Sequence, residues 1–394
     1  MRILYSHRVQ SRDGQSVHIE ELVIALRQAG HEVLLAGPSF YKKAGFGGES
    51  RFVSMIRQVL PKLFTEIGEL FYNVPAFLRL WHAYRRFLPD LVYERYNLYH
   101  FSGMLLKRLC RVPFYLEINS PLAEERSCFG GLRLRRLARD VERLVWRSAD
   151  RIFVVTAVLG DIVAAAGVPS ARITVIPNGV ERHAFPPEHY KARPGRPVII
   201  GFVGFVREWH GLEEVIDGLA TRPADPAVQL VVVGPVSPDL EQQAQALGVA
   251  DLVRFTGLQQ RTAIPRVIRT FDIALQPRAV SYASPLKLFE YMACSRAIIA
   301  PNQRNIREIL TDRENAILFE PDAPGALWRA IRYLAVDPQL RERLGRAARS
   351  ILDERDYTWQ GNADRIIEAV ASDLGQRGAV VNAALPLDRS VPHE

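Results

Sequence analysis

The chain has 394 residues, 48% of them hydrophobic and 24% charged, with a formal net charge of +8. This balance suits two globular domains of ordinary size and excludes a disordered or fibrous chain. The three cysteines, Cys110, Cys128 and Cys294, lie far apart, which excludes a disulfide framework or a spaced zinc-ligand set and points to a reducing cytosol.

The positive excess calls for an anionic partner, whether nucleic acid, acidic lipid or a phosphorylated small molecule. Met1 leads directly into the strand-like run RILYS instead of the charged-then-apolar opening of a signal peptide. No run reaches the roughly 18 apolar residues of a membrane span, so a cytoplasmic location is expected.

Short apolar runs then alternate with amphipathic stretches. RILYS, HEVLLAG, LVYE, FYLEI, RIFVV and RITVI predict six strands of a parallel sheet. In the first intervening stretch Val17, Ile19, Leu22, Val23 and Leu26 form an apolar stripe, and Gly30 is placed to end the helix. The pattern breaks at RHAFPPEHYKARPGRP, rich in proline and charge, and resumes with VIIGFVG, VQLVVVG, LVRF, FDIALQ, AIIA and AILF. The fold class expected is α/β, with two Rossmann-like doubly wound domains facing a cleft. The boundaries expected are a domain over 1–182, a linker over 183–197 and a second domain over 198–355. A C-terminal helix over 356–375 that could cross back to the first domain, and a frayed tail over 376–394, complete the chain.

Ligands of open parallel sheets sit beyond the carboxyl ends of the strands, where backbone amides and helix N-termini face anions. Three loops there carry chemistry. SHRVQSRDGQSVH places Gly14 before a helix, either as a simple turn or to present amides to a phosphate. GFVGFVREWHGLEEVI follows Gly204 with Arg207, a planar fork for a diphosphate, and His210, a second donor. In the alternative reading Arg207 pairs with Glu208 and Trp209 belongs to the core. In YASPLKLFEYMA, Ser284 and Pro285 read as N-cap and first helical residue, so Lys287, Leu288 and Glu290 fall in the first turns. Lys287 suits phosphate oxygens and Glu290 the two hydroxyls of a ribose, unless the two form an ordinary helix-surface pair.

Together with VIPNGVE and RFTGLQQRTAIPRVIRTFDIALQP, these segments resemble, in order and in domain context, the retaining nucleotide-sugar-dependent glycosyltransferases of family four, which have the GT-B architecture. The resemblance covers nearly the whole chain. It implies a nucleoside-diphosphate sugar as co-substrate, with no further cofactor, and a hydroxyl acceptor that is a glycan, a lipid-linked glycan or a small molecule. It puts Gly14 at the donor diphosphate, Thr256 and Gly257 near the base, and Glu290 at the ribose as the second glutamate of an E-x-x-x-x-x-x-x-E pattern. The first glutamate of that pattern falls on Tyr282, so Tyr282 or Ser284 would take its part. The family's two phosphate-binding cations fall on Phe205 and His210, with Arg207 between them to compensate. If His210 replaces the lysine, donor affinity should depend on pH near neutrality. Where many relatives have a histidine, FYLEINSP has Asn119, placed to position sugar or acceptor or simply to form a turn. His18, with Glu94 and Arg95 of YERYN, lies on the acceptor side. The alternatives there are a helix-end histidine without a role and a solvated ion pair.

No Asp-x-Asp stands at a strand end to hold a metal. The segment from Arg51 to Phe87 mixes Arg and Lys with Phe, Leu, Trp and Tyr, which fits either core packing or peripheral contact with an acidic membrane at the inner face. The reaction expected is retaining sugar transfer in the synthesis of a cell-surface polysaccharide or glycolipid. A nucleotide-sugar epimerase is the alternative on the same architecture. A basic nucleic-acid-binding protein is the alternative of another class, disfavoured because the basic residues are spread evenly and no nucleic-acid motif is present.

Overall fold

The computed structural model describes residues 1–9, 14–38, 62–186, 188, 190, 195–221 and 226–383. All twelve expected strands form. In the first sheet β1 (Arg2–Ser6), β2 (Glu32–Ala36), β3 (Leu91–Arg95), β4 (Phe114–Ile118), β5 (Arg151–Val154) and β6 (Ile173–Val175) are ordered β2-β1-β3-β4-β5-β6. In the second, β7 (Val198–Val203), β8 (Val228–Val233), β9 (Val253–Phe255), β10 (Ile273–Leu275), β11 (Ala297–Pro301) and β12 (Ile317–Phe319) are ordered β12-β11-β10-β7-β8-β9. Every pairing is parallel. Helices cover both faces, which is why central strands such as FYLEI are buried along their whole length and carry near-continuous apolar runs. In each sheet the strand order reverses beside the first strand, at β1/β3 and at β7/β10, and ligands of such sheets bind at these points.

The halves are joined by more than the linker. Asn178 donates from its backbone to Ser284 Oγ at 3.2 Å and from Nδ2 to the Ser284 carbonyl at 2.5 Å. Beside it the Gly179 backbone lies against Thr358, where an added Cβ would stand 2.7 Å from the Thr358 carbonyl carbon, so no larger residue fits without displacing that strand of chain. The final helix, Trp359–Ala383, packs Trp359, Ala363, Ile366 and Val370 into the core of the first half against Ile19, Leu22 and Leu26. Arg151 locks it there by pairing with Asp373 at 2.6 Å. The helix runs past residue 375 to Ala383, where a frayed tail was expected. Each added residue there gains one backbone hydrogen bond, and no proline interrupts until Pro386. Residues 384–394 lie outside the described residues.

Candidate active site

A cavity of about 390 Å³ lies between the two halves at the β7/β10 switch point. Its first-half wall comes from Gln15 and Val17 at the start of the helix Gly14–Gln28. Its second-half wall includes Gly204, Arg207, His210, Gln276, Lys287 and Glu290. Gly204 has φ +141°, a backbone region that favours glycine, and an added Cβ would stand 3.3 Å from Lys287 Cε. The residue type there keeps the lysine against the loop.

Lys287 lies with Nζ 4.0 Å from the centroid of the Phe202 ring, and among the described residues it forms no ion pair. Burial lowers its pKa from the ordinary lysine value to about 7, with Glu290 opposing the shift weakly. The opposite face of the cluster is His210, whose ring meets Phe202 edge-on at 5.1 Å. His210 Nδ1 accepts from the Arg207 amide at 3.0 Å, so the neutral ring carries its proton on Nε2. Burial, then Lys287, then Arg207 lower the His210 pKa to about 2. This corrects the expectation of a titrating histidine: His210 stays neutral and Lys287 is the group that changes charge near pH 7. Trp209 is 38% exposed and not a core residue. Arg207 is exposed at the rim.

Glu290 sits about one turn below the entrance of the helix Leu286–Ala293. Burial raises its pKa, and Arg261 and Lys287 pull in the other direction. It forms no ion pair with Lys287 within 4 Å, so the helix-surface pair is not made. Arg261 instead bridges to Glu21 of the first half at 2.8 Å.

Several expected donor contacts lie elsewhere. Ser284 does not cap the helix. The helix begins at Leu286 with Pro285 before it, and the Ser284 hydroxyl is taken by Asn178, as described above. Tyr282 turns to the first half, where its hydroxyl donates to Glu125 at 2.9 Å and its carbonyl accepts from Thr156. Leu288 is fully buried in the second-half core, because its place in the helix points away from the cavity. Thr256 and Gly257 serve as backbone ties, with Thr256 donating to Val232 and Gly257 accepting from Gly234; the next residues, Leu258 and Gln259, line the cavity. Gly14 opens its helix, and the next residue, Gln15, lines the cavity. Residues 10–13 of that loop lie outside the described residues.

On the first-half side a second cluster forms around Glu117, a carboxylate inside β4. Arg95 donates to Oε1 at 2.6 Å, Asn119 Nδ2 at 2.6 Å and His18 Nε2 at 3.0 Å. Tyr93 donates to Oε2 at 3.1 Å. Burial would raise the Glu117 pKa, but His18 and Arg95, with hydrogen bonds from His18 and Asn119, outweigh it and hold the carboxyl well below the usual range. His18 Nδ1 faces Asn178 Oδ1 at 2.8 Å, which continues the chain to Ser284 and the Lys287 helix. Glu94 does not join this cluster, since neighbouring strand residues face opposite sides. It is fully buried, accepting from Ser6 Oγ at 2.9 Å and from the Gly103 amide at the start of the helix Ser102–Cys110. The expectation that Glu94 and Arg95 stand together on the acceptor side is thereby corrected for Glu94, and the alternative of a solvated ion pair fails for both, since each is buried with partners of its own.

Two family models divide the chain between them. The first, Glycosyltransferase Family 4, matches residues 12–183, and the second, Glycosyl transferases group 1, matches residues 188–351. The chain belongs to this glycosyltransferase family. Among similar proteins, the glycogen synthase of Mycobacterium tuberculosis (strain ATCC 25618 / H37Rv) is 25% identical over 95% of this chain and 96% of its own length. The D-inositol 3-phosphate glycosyltransferase of Thermomonospora curvata is 25% identical over 95% and 94%. Two solved structures share the GT-B fold. Anabaena HepE in complex with UDP has a TM-score of 0.72 at 17% identity, covering 94% of this chain and 100% of that one. Sucrose-phosphate synthase from Thermosynechococcus elongatus has a TM-score of 0.74 at 16% identity, covering 95% and 100%.

Within this glycosyltransferase, Glu117, Asn178, Arg261 and Gln276 are site or bridging residues that the sequence reading did not single out. A charged residue in the otherwise apolar run FYLEI was the available signal for Glu117. Arg207→Ala and His210→Ala are each expected to weaken nucleoside diphosphate binding about tenfold, the range of one hydrogen bond to a charged group. Titration calorimetry of both variants checks this, and unchanged affinity in both would remove these residues from the anion site.

Proposed function

We propose that this glycosyltransferase moves a sugar from a nucleoside-diphosphate sugar to a hydroxyl acceptor with retention of anomeric configuration and without a metal, in the synthesis of a cell-surface polysaccharide or glycolipid. One observation carries the reading: Lys287, Arg207, His210 and the helix-entrance residues Pro285 and Leu286 line one cavity, with Glu290 beyond them. Cations and helix-end amides match a diphosphate, and a carboxylate at the next step matches a ribose diol. The same groups would stabilise the diphosphate as it leaves, the role a divalent ion plays elsewhere. The binding of UDP and UDP-glucose named for Anabaena HepE supports a donor of this class. Asn119, Arg95 and His18, gathered by Glu117, are the proposed acceptor-side groups. Screening nucleotide sugars by thermal shift tests the donor, since a ligand of the native state raises Tm. NMR of the product anomer, with chelator present, tests retention and metal independence.

A specific surface favours peripheral contact with an acidic membrane at the cytoplasmic face. The helix Asn73–Phe87 is held to the body by Asn73, Ala76 and Leu80, and the helix Lys62–Phe71 before it by Glu66, which accepts from the Arg133 and Leu134 amides. Their outer side leaves Phe71 72%, Val74 60%, Leu78 54% and Trp81 39% exposed, one row at helical spacing. Arg85 lies over the Trp81 ring, with Arg86 beside it. An apolar row edged by arginines fits the headgroup boundary of an anionic bilayer. Residues 51–61 of the expected basic segment lie outside the described residues, and no helix among those described is long and apolar enough to cross a membrane. The protein is expected to sediment with vesicles of 30% phosphatidylglycerol at low salt. Leu78→Glu should reduce that binding by tenfold or more, and binding untouched by salt and by this variant would refute the surface.

A further inference from the structure

Gln276 follows β10 directly, its amide donating to Ile299 in β11, and β10 pairs with β7, so it stands beside the end of the strand that leads to Gly204. The side chain is 1% exposed and lines the cavity between the two halves. Its Nε2 donates to the Arg278 carbonyl at 2.5 Å, and this fixes the amide orientation, because the reverse would set two acceptors against each other. The oxygen Oε1 is then turned away from Arg278, and among the described residues it has no hydrogen-bond partner. Buried side-chain oxygens in native proteins are paired in the large majority, so an orphan on a cavity wall marks a place where a donor from elsewhere belongs.

We propose that Gln276 is a specificity-determining residue whose Oε1 accepts a hydrogen bond from a hydroxyl of the transferred sugar, an inference that rests on the nucleotide-sugar reading above. The chemistry of the site narrows the choice. A phosphate oxygen is itself an acceptor and cannot satisfy Oε1. Lys287 Nζ and the ring of His210 lie within the same cavity but make no hydrogen bond to it. Glu290 is the carboxylate suited to the ribose hydroxyls. The position where the family pattern has its first glutamate is Tyr282, whose hydroxyl is committed to Glu125 in the other half. The sugar hydroxyls therefore lack that carboxylate, and the neutral amide of Gln276, fixed on Arg278, supplies an acceptor on the same cavity wall. A site built to pair with one hydroxyl discriminates strongly against a donor without it, since the buried oxygen is then left orphaned.

The test uses full-length protein and a panel of UDP-glucose, UDP-galactose, UDP-N-acetylglucosamine, GDP-mannose and ADP-glucose, each against its own nucleoside diphosphate. For the donor turned over fastest, Gln276→Met and Gln276→Ala are expected to lower kcat/KM about 10- to 100-fold while the Kd of the matching nucleoside diphosphate changes less than threefold. A deoxy analogue of that sugar, missing the recognised hydroxyl, should be used equally well by wild type and Gln276→Met. Loss of diphosphate affinity in parallel with kcat/KM, or unchanged discrimination in both variants, would overturn the assignment. Failure of the wild type to bind any nucleoside diphosphate would instead overturn the donor reading, and the inference with it.

Discussion

Replacing Lys287 with methionine is expected to weaken binding of a nucleoside diphosphate about 10- to 100-fold, the contribution of a charge-assisted hydrogen bond, and to raise the melting temperature of the free protein. The two effects have one cause. Lys287 sits among Phe202, Gly204 and His210 with no carboxylate in ion-pair reach among the described residues, so its charged form is poorly solvated and its pKa falls to about 7. In the unfolded chain the same amine ionises near 10.5. Between pH 7 and 10.5 the unfolded state holds the extra proton, so this group's contribution to stability improves as pH rises through that window; below pH 7 its full penalty remains. Methionine keeps the volume and removes the penalty, and Tm should rise by about 2–4 °C for each kcal/mol recovered.

A bound diphosphate reverses the preference and draws a proton onto Lys287. At pH 7, where about half of the free protein carries that proton, binding a nucleoside-diphosphate sugar should take up about half a proton, visible as a buffer-dependent enthalpy in calorimetry. Above pH 7 donor affinity should fall by up to tenfold per pH unit. Lys287→Arg, charged throughout this range, should abolish the pH dependence, and His210→Ala should leave it in place because the ring is already neutral. A pH-independent wild type would show that Lys287 does not meet the diphosphate.

The twelve strands and the two-lobed plan were legible because each buried parallel strand writes itself as an apolar run, and the runs are separated by helix-length segments. That Gly204, Arg207, Lys287 and Glu290 share one cavity wall was legible for a related reason: they sit on loops and a helix entrance whose geometry follows from local sequence. What sequence could not give is direction. Leu288 and Glu290 are two residues apart, and whether either faces the cavity depends on where the helix begins, which moved by one residue once Ser284 was claimed by Asn178, 106 positions away. Tyr282 was lost to the opposite lobe in the same way, through Glu125. Glu94 and Arg95 read as one acceptor-side pair because adjacency in sequence is visible, whereas the alternation that separates them acts only once the strand lies in a sheet buried on both sides. The Glu117 cluster is non-local throughout: Glu117, His18, Arg95 and Asn178 come from four separate elements and meet only in the folded chain.

Glu117→Ala is expected to be the most damaging single substitution for stability, costing about 3–5 kcal/mol, the range for breaking a buried ion pair from one side. The carboxylate is 3% exposed and receives Arg95, His18, Asn119 and Tyr93. Removing it leaves the Arg95 guanidinium, itself 7% exposed, without its counter-charge and frees His18 to rotate. Because His18 holds Asn178, and Asn178 holds Ser284 just before the Lys287 helix, the damage should extend across the lobes. Glu117→Gln separates charge from shape: it keeps the volume and one acceptor, so it should lose less stability than alanine. The group's folded pKa lies below its unfolded value of 4.5, so it stabilises the protein above that pH and loses the contribution as pH falls further. Wild type should therefore show a steep acid limb in urea unfolding below pH 4.5, and Glu117→Gln a shallower one, the difference between the two curves vanishing at low pH. Parallel acid limbs would mean that the charge of Glu117 does not hold this cluster, and that the link from the first lobe to the Lys287 helix rests on packing by Trp359 against the His18 ring instead.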